Sequence, residues 1–413
     1  MRKSEKYLLI LLLLTMMLTA CGRSTNQENP PESHTLQETI LLSPSPTSTI
    51  IPSPTPTPTP EILVSQGEHA LFVGDYQSAF NIFQLTLSQT SDPLIQAESQ
   101  LGMGQALYQQ DQFGLALNQF RSAALSKDSI IAGRANFMLG KTFTQLQRYE
   151  EALQAYQTYL EMRPGLLDSR IHEMRADLLT ASGDVQEAIT AFEEAYRTHP
   201  SDGTEALTVK IAVAYEAAGQ VDTALSLYQN ILATTTNDYT KAQMDLLIGQ
   251  IYLEKGEPDL AYPYLQDAVN TVPYAYDAYT SLVILVDAGV EVNEYQRGLV
   301  NYYVGNYALA IEAFDRYLAS GAESSPDAAL YHKALAVRAL PGNDPDAQYQ
   351  LANTLWEQLI LDYPTSTYFV DAWEDIEFTL WAYLGEPQQA AEHALRYVAQ
   401  QFDSPEAPDF LFL

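Results

Sequence analysis

The sequence predicts an all-α chain: a right-handed α-solenoid of about eight to nine helix pairs, preceded by a disordered stalk. Three observations predict it. A small residue followed four positions later by a large one recurs every 36 or 37 positions along much of the chain. Glycine and proline punctuate each unit at fixed offsets. No strict period-2 alternation longer than a few residues occurs, so there is no signal for a sheet.

The N-terminus has a different character. Arg2, Lys3 and Lys6 form a short basic region, and Tyr7 to Leu18 is apolar except for Thr15. A run of this length is too short for a bilayer of ~30 Å and reads as the apolar core of a secretory signal spanning residues 1–20. The basic end orients it for export of the rest of the chain. Leu18-Thr19-Ala20-Cys21 then resembles the lipobox of bacterial lipoproteins. That resemblance implies that Cys21 is lipidated and becomes the first residue of the mature chain. Cys21 is also the single cysteine of the sequence, so no internal disulfide is possible. Several acyl chains on one residue make a stable anchor, each buried CH₂ adding ~0.8 kcal/mol.

Residues 21–60 are rich in Ser, Thr, Pro, Asn, Gln and Glu and end in alternating proline from Pro52 to Pro60. Proline fixes φ and removes backbone donors, so this segment reads as an extended, disordered linker. At ~3.1 Å per residue it reaches up to ~100 Å.

Charge bounds the partners. Without residues 1–20 the chain holds 18 Lys+Arg and 51 Asp+Glu, a formal charge of −33. That excludes nucleic acid, whose binding needs clustered cations, and disfavours lying flat on an anionic membrane. Apolar content of 46% is ample for a core, so acidity does not imply disorder of the body.

The repeats begin at Glu61. The small–large pairs are Ala79/Phe83, Ala116/Phe120, Ala152/Tyr156, Ala188/Phe192, Ala224/Tyr228 and Ala261/Leu265, succeeded more loosely by Ala310/Phe314, Ala352/Trp356 and Ala390/Ala394. Twelve positions before the alanine stands another small residue: Gly67, Gly104, Gly140, Ala176, Ala212, Gly249 and Gly298. Two antiparallel helices approach closely where such a residue faces a bulky one. Five positions before it glycine is frequent (Gly74, Gly183, Gly219, Gly256, Gly305), fit for a left-handed cap. Tyr76, Phe113, Tyr149 and Tyr307 stand two positions after that slot, and Pro164, Pro200, Pro273 and Pro364 close units because proline cannot continue a helix.

This pattern resembles the tetratricopeptide repeat over roughly residues 61–405, without that family's opening tryptophan and with a slightly longer unit. The spacing from Ala261 to Ala310 is 49, about 13 too many, and the excess, from Tyr274 to Gly289, reads as one extra helix. The expected organisation is a repeat block at 61–273, an extra helix or hinge at 274–289, a second block at 290–405 and a tail at 406–413.

The resemblance implies a protein-interaction scaffold that holds a peptide or partner helix in a groove lined by the first helix of each pair. Groove candidates are Glu68, Gln105, Tyr108, Lys141, Gln145, Arg175, Lys210, Glu216, Gln250 and Glu254. The six histidines (His34, His69, His172, His199, His332, His393) form no ligand spacing, and neither a phosphate loop nor a Gly-x-Ser-x-Gly elbow is present. No catalytic residue, metal site or cofactor is expected, and the chain reads as a non-enzyme.

A second resemblance points to the cell wall. Tyr276-Asp277-Ala278-Tyr279, Gln296-Arg297-Gly298-Leu299 and Tyr363-Pro364-Thr365-Ser366-Thr367-Tyr368 are similar to the helical superstructure of bacterial lytic transglycosylases. It implies a peptidoglycan-associated or accessory role without the catalytic domain. Glu323-Ser324-Ser325 has that family's catalytic dipeptide but reads as a helix-capping loop. The expected location is outside the cytoplasm, lipid-anchored to the outer face of the cytoplasmic membrane or within the periplasm of a bacterium.

Overall fold

A computed structural model describes residues 58–413 except 166, 199–203, 322–323, 409 and 411–413. The expected export signal, Cys21, the expected linker as far as Thr57, His34, His199, Pro200, Glu323 and the last three residues lie outside the described residues. Among the described residues there is helix and no strand.

Residues 58–413 form one compact unit. Helices α1 (Pro60–Phe72) and α2 (Tyr76–Gln89), α3 (Pro93–Gln109) and α4 (Phe113–Ala123), and α5 (Ser129–Gln145) and α6 (Tyr149–Met162) open the stack as pairs. The pairs α7 (Asp168–Ser182) with α8 (Val185–Arg197), α9 (Thr204–Ala217) with α10 (Val221–Thr234), and α11 (Asp238–Glu254) with α12 (Pro258–Thr271) extend it. A single helix α13 (Tyr276–Asp287) comes next. Three further pairs complete the unit: α14 (Glu294–Tyr303) with α15 (Tyr307–Ala319), α16 (Pro326–Ala339) with α17 (Pro345–Asp362), and α18 (Phe369–Phe378) with α19 (Pro387–Gln400). Between α18 and α19 the chain makes a π turn at Thr379–Tyr383.

Local chemistry sets these boundaries. Asp92, Asp128, Asn237 and Asn293 cap helix starts, their side chains accepting from backbone N–H groups in the first turn of the helix. Proline opens α3, α12, α16, α17 and α19, where its missing N–H costs nothing. Ser325 occupies the N-cap of α16 but makes no side-chain cap bond, so capping there is by position only.

The turn inside a pair has one geometry in every pair but α16–α17, where Leu340 is extended and no residue is left-handed. Gly74, Gly183, Gly219, Gly256 and Gly305 have φ between +74° and +92°. Two units lack the glycine and take the same left-handed turn on Asp111 and Gln147, both at φ +57°. The next residue but one starts the second helix, which is why Tyr76, Phe113, Tyr149 and Tyr307 stand at that offset.

Pairs are held by rings lying on glycine. A Cβ on Gly140 would stand 2.4 Å from the Tyr156 ring, one on Gly104 2.5 Å from Phe120, and one on Gly298 2.4 Å from Phe314. Phe83 is clasped between helices, its ring meeting both Gly67 of α1 and Gly102 of α3. Where alanine replaces that glycine, Ala176 and Ala212 are fully buried. Ala79, Ala116, Ala152, Ala188, Ala224, Ala261 and Ala310 are buried without residual exposure, as are Phe120, Tyr156, Tyr228 and Phe314, with Phe83 and Phe192 close behind. Each such aromatic contributes on the order of 1.5–3 kcal/mol by leaving water.

Helix α13 packs on α11 and α12 as the first helix of another pair would, but it has no second helix of its own. The core continues through it, with Leu282 and Leu285 clustered with Val272 and Val300. At the far end Phe410 stacks on Tyr397 at 4.0 Å and is buried beside Trp373 and Ala394. The described part of the tail therefore docks on the last pair.

Candidate partner-binding surface

A cleft creases the N-terminal end of the stack. Glu68 and Leu71 of α1, Gln105 and Gln109 of α3, and Arg134, Met138 and Lys141 of α5 line this cleft of about 370 Å³, with Phe72 at its rim. Repetition places them: Glu68, Gln105 and Lys141 each stand one residue after the packing glycine of their helix, so the contact that buries the glycine turns these three side chains outward. Beside the cleft the Lys141 ammonium lies 5.2 Å from the centroid of the Tyr108 ring, a cation–π contact. Burial pushes the Tyr108 phenol up, partly offset by a hydrogen bond with Gln145.

Farther along, charge is paired between neighbouring helices. Lys210 of α9 sits 2.8 Å from Glu173 and 3.0 Å from Asp177, both on α7. Burial pulls its ammonium down, but the bonds to the two carboxylates outweigh that and hold it above the usual lysine value. Arg175 is half-buried with its Nε unbonded, and burial lowers its pKa. Glu216 is half-buried and accepts a 2.7 Å hydrogen bond from the Tyr228 hydroxyl. Glu254 is exposed and Gln250 half-buried on α11.

Tyrosines bridge the extra helix. Tyr239, Tyr274 and Tyr303 form edge-on contacts at 5.5 and 6.1 Å, and Tyr274 donates to Asp238 at 3.0 Å. Tyr239, Tyr276 and Tyr303 are each about half exposed or more. Such rings supply contact area at small entropic cost.

A polar column, buried or half-buried, runs through the odd-numbered helices from α5 to α13. Asn136, His172, Thr208, Asp245 and Ser281 recur at spacings of 36, 36, 37 and 36. Asp245 is 3% exposed, its Oδ1 has no hydrogen-bond partner, and burial, with Asp267 second, raises its pKa to about 7. His172 Nδ1 and Ser281 Oγ are also buried without partners, whereas Asn136 donates to the Ala132 carbonyl at 2.8 Å. The five share a position but no residue type, so only alignment of the repeats reveals them.

In the last pairs Arg338 is held in one place. It pairs with Asp375 at 2.7 Å and lies over the Trp356 ring at 4.8 Å, while the Tyr331 hydroxyl donates to Asp375 at 2.8 Å. His332 is enclosed by Tyr295, Tyr331 and Tyr368, and burial lowers its pKa. Among the described residues no three His, Cys, Asp or Glu side chains gather as a metal set, and no helix is long and apolar enough to cross a membrane.

The tetratricopeptide repeat family model matches residues 101–166, 137–203 and 209–278. No curated protein matches the chain. Among solved structures, a tetratricopeptide repeat protein from Parabacteroides merdae is 16% identical, covering 67% of this chain and 98% of that one with a TM-score of 0.40. PilF of Pseudomonas aeruginosa is 17% identical, covering 55% and 97% with a TM-score of 0.38. YrrB, described as a TPR protein with an unusual peptide-binding site, is 17% identical, covering 49% and 96% with a TM-score of 0.39. Likenesses at this level carry no functional information.

Proposed function

This chain carries tetratricopeptide repeats, and from that premise we propose that it is a non-enzymatic scaffold, tethered outside the cytoplasm, that binds a protein segment along its first-helix face. Stacked repeats bury their cores between neighbours and leave an extended face of near-identical positions, which suits an extended peptide or a partner helix. The observation that carries the reading is the cleft across α1, α3 and α5, where Glu68, Gln105 and Lys141 stand side by side. It combines apolar floor residues (Leu71, Met138) with charges of both signs, the makeup of a segment-binding groove.

Cys21 supplies the tether in this reading, and the proline-rich linker gives the face its reach. Replacing Gln105 by a photo-crosslinking amino acid in the intact cell is expected to trap a partner, while the same replacement at exposed Gln77 on α2 is not. Equal crosslinking from both positions, or none from Gln105, sinks the groove. Cys21→Ala is expected to release the chain from the membrane fraction and abolish labelling with a fatty-acid analogue.

A further inference from the structure

A pocket of about 470 Å³ opens where α18, the π turn and α19 meet. Its walls are apolar, from Phe378, Trp381, Ala394, Leu395 and Phe410, and among the described residues Glu377 is the one charged residue lining it. The rim is uncovered: Phe378 is 48% exposed, Trp381 59% and Leu395 58%. Glu377 itself is 5% exposed, and its Oε2 has no hydrogen-bond partner. Burial, and then Glu374, push its carboxyl up to about 7. The π turn, closed by a bond from the Leu384 N–H to the Thr379 carbonyl at 3.0 Å, puts an extra residue into the wall at the point where Trp381 emerges. Such turns are frequent at functional sites.

These groups impose two requirements. Exposed apolar side chains on two adjacent helices ask for a third helix packed across them. A buried carboxyl without a donor asks for a cationic one, since an unpaired buried acceptor costs stability that a charged donor recovers. A second copy of this chain docked through the same face would bring two Glu377 carboxyls together, which repel unless they share a proton, whereas a cation satisfies the charged form outright. Small hydrated ions gain nothing from aromatic walls.

We propose that this pocket receives a lysine or arginine side chain presented from the apolar face of a partner's amphipathic helix. The cation pairs with Glu377, and the flanking apolar residues pack on Phe378, Trp381 and Leu395. The partner's basic character also complements a chain of formal charge −31. The inference rests on the scaffold reading but concerns a surface separate from the cleft at Gln105.

The test is calorimetric titration of the full mature chain in detergent. The probe is a synthetic amphipathic leucine–alanine helix with glutamine on its polar face and one lysine on its apolar face. A twin carries norleucine instead, and a third has the lysine moved to the polar face. The lysine peptide is expected to bind about tenfold more tightly than either control, the discrimination one buried charged hydrogen bond gives. Glu377→Gln, which keeps the shape and removes the charge, is expected to erase that preference while still binding the norleucine twin. Trp381→Ala is expected to weaken all three. Equal binding of the peptides, or a preference that survives Glu377→Gln, overturns the proposal. So does self-association that Trp381→Ala abolishes with no peptide bound. Crosslinking from Gln105 is unaffected by any of these results, so the pocket and the cleft fail independently.

Discussion

Asp245 is where a single side chain most clearly works against the fold. Its folded pKa of about 7 stands well above the unfolded value near 3.8. Below a pH of about 4 both states hold the proton, and between about 4 and 7 only the native state does. Stability therefore falls as pH rises through that window and carries the full penalty above it. Asp245→Asn is expected to raise stability at a pH of about 7.5 by on the order of 1–2 kcal/mol, with the gain vanishing near a pH of about 4. Denaturant unfolding at the two pH values checks it. His393 runs the other way: burial, then Arg396, depress its pKa to about 4, so the neutral ring is native and stability is lost as pH falls from about 6.5 to 4. His393→Gln is expected to flatten that acid limb.

At the scale of the helix pair, the repeat depends on two kinds of glycine that respond oppositely to change. Gly140→Ala drives a methyl into the Tyr156 ring at 2.4 Å and is expected to cost about 1–3 kcal/mol. The turn positions are open instead, and there conformation decides. Gln147 sits at φ +57°, so Gln147→Gly relieves left-handed strain of ~1–2 kcal/mol and gives back up to ~1 kcal/mol in chain entropy. A net gain of about 0.5 kcal/mol in thermal or denaturant unfolding is the expected outcome. Both kinds were legible in the sequence because each is a local contact or a local φ repeated at fixed offset. Gly102 was not, since its partner Phe83 belongs to the preceding unit and breaks the register. The polar column escaped for another reason: Asn136, His172, Asp245 and Ser281 have no chemistry in common beyond polarity. Of the cleft, Glu68, Gln105 and Lys141 could be read off the repeat phase. Its apolar members, Leu71 and Met138, read equally well as core, and Glu216 read as surface because its bond to Tyr228 crosses between helices.

Over the whole unit, stability is a sum of neighbour contacts rather than one central core. A lesion in one pair should stay local. Gly140→Ala is expected to speed amide hydrogen exchange in α3 to α8 and leave α16 to α19 unchanged. Uniform acceleration along the chain contradicts a nearest-neighbour stack. The single helix α13 has a directional consequence. Tyr303, at the end of α14, touches Tyr274, which precedes the start of α13, so α14 runs back along α13. In an alternating stack one unpaired member changes the parity. The first helices of the last three pairs therefore point opposite to those of the first six, and their dipoles reverse with them. By the same alternation α14 shares a layer with α12, which it touches, so beyond α13 the layer of first helices is continued by second helices, and a partner segment crossing α13 keeps its direction but meets positions of another kind.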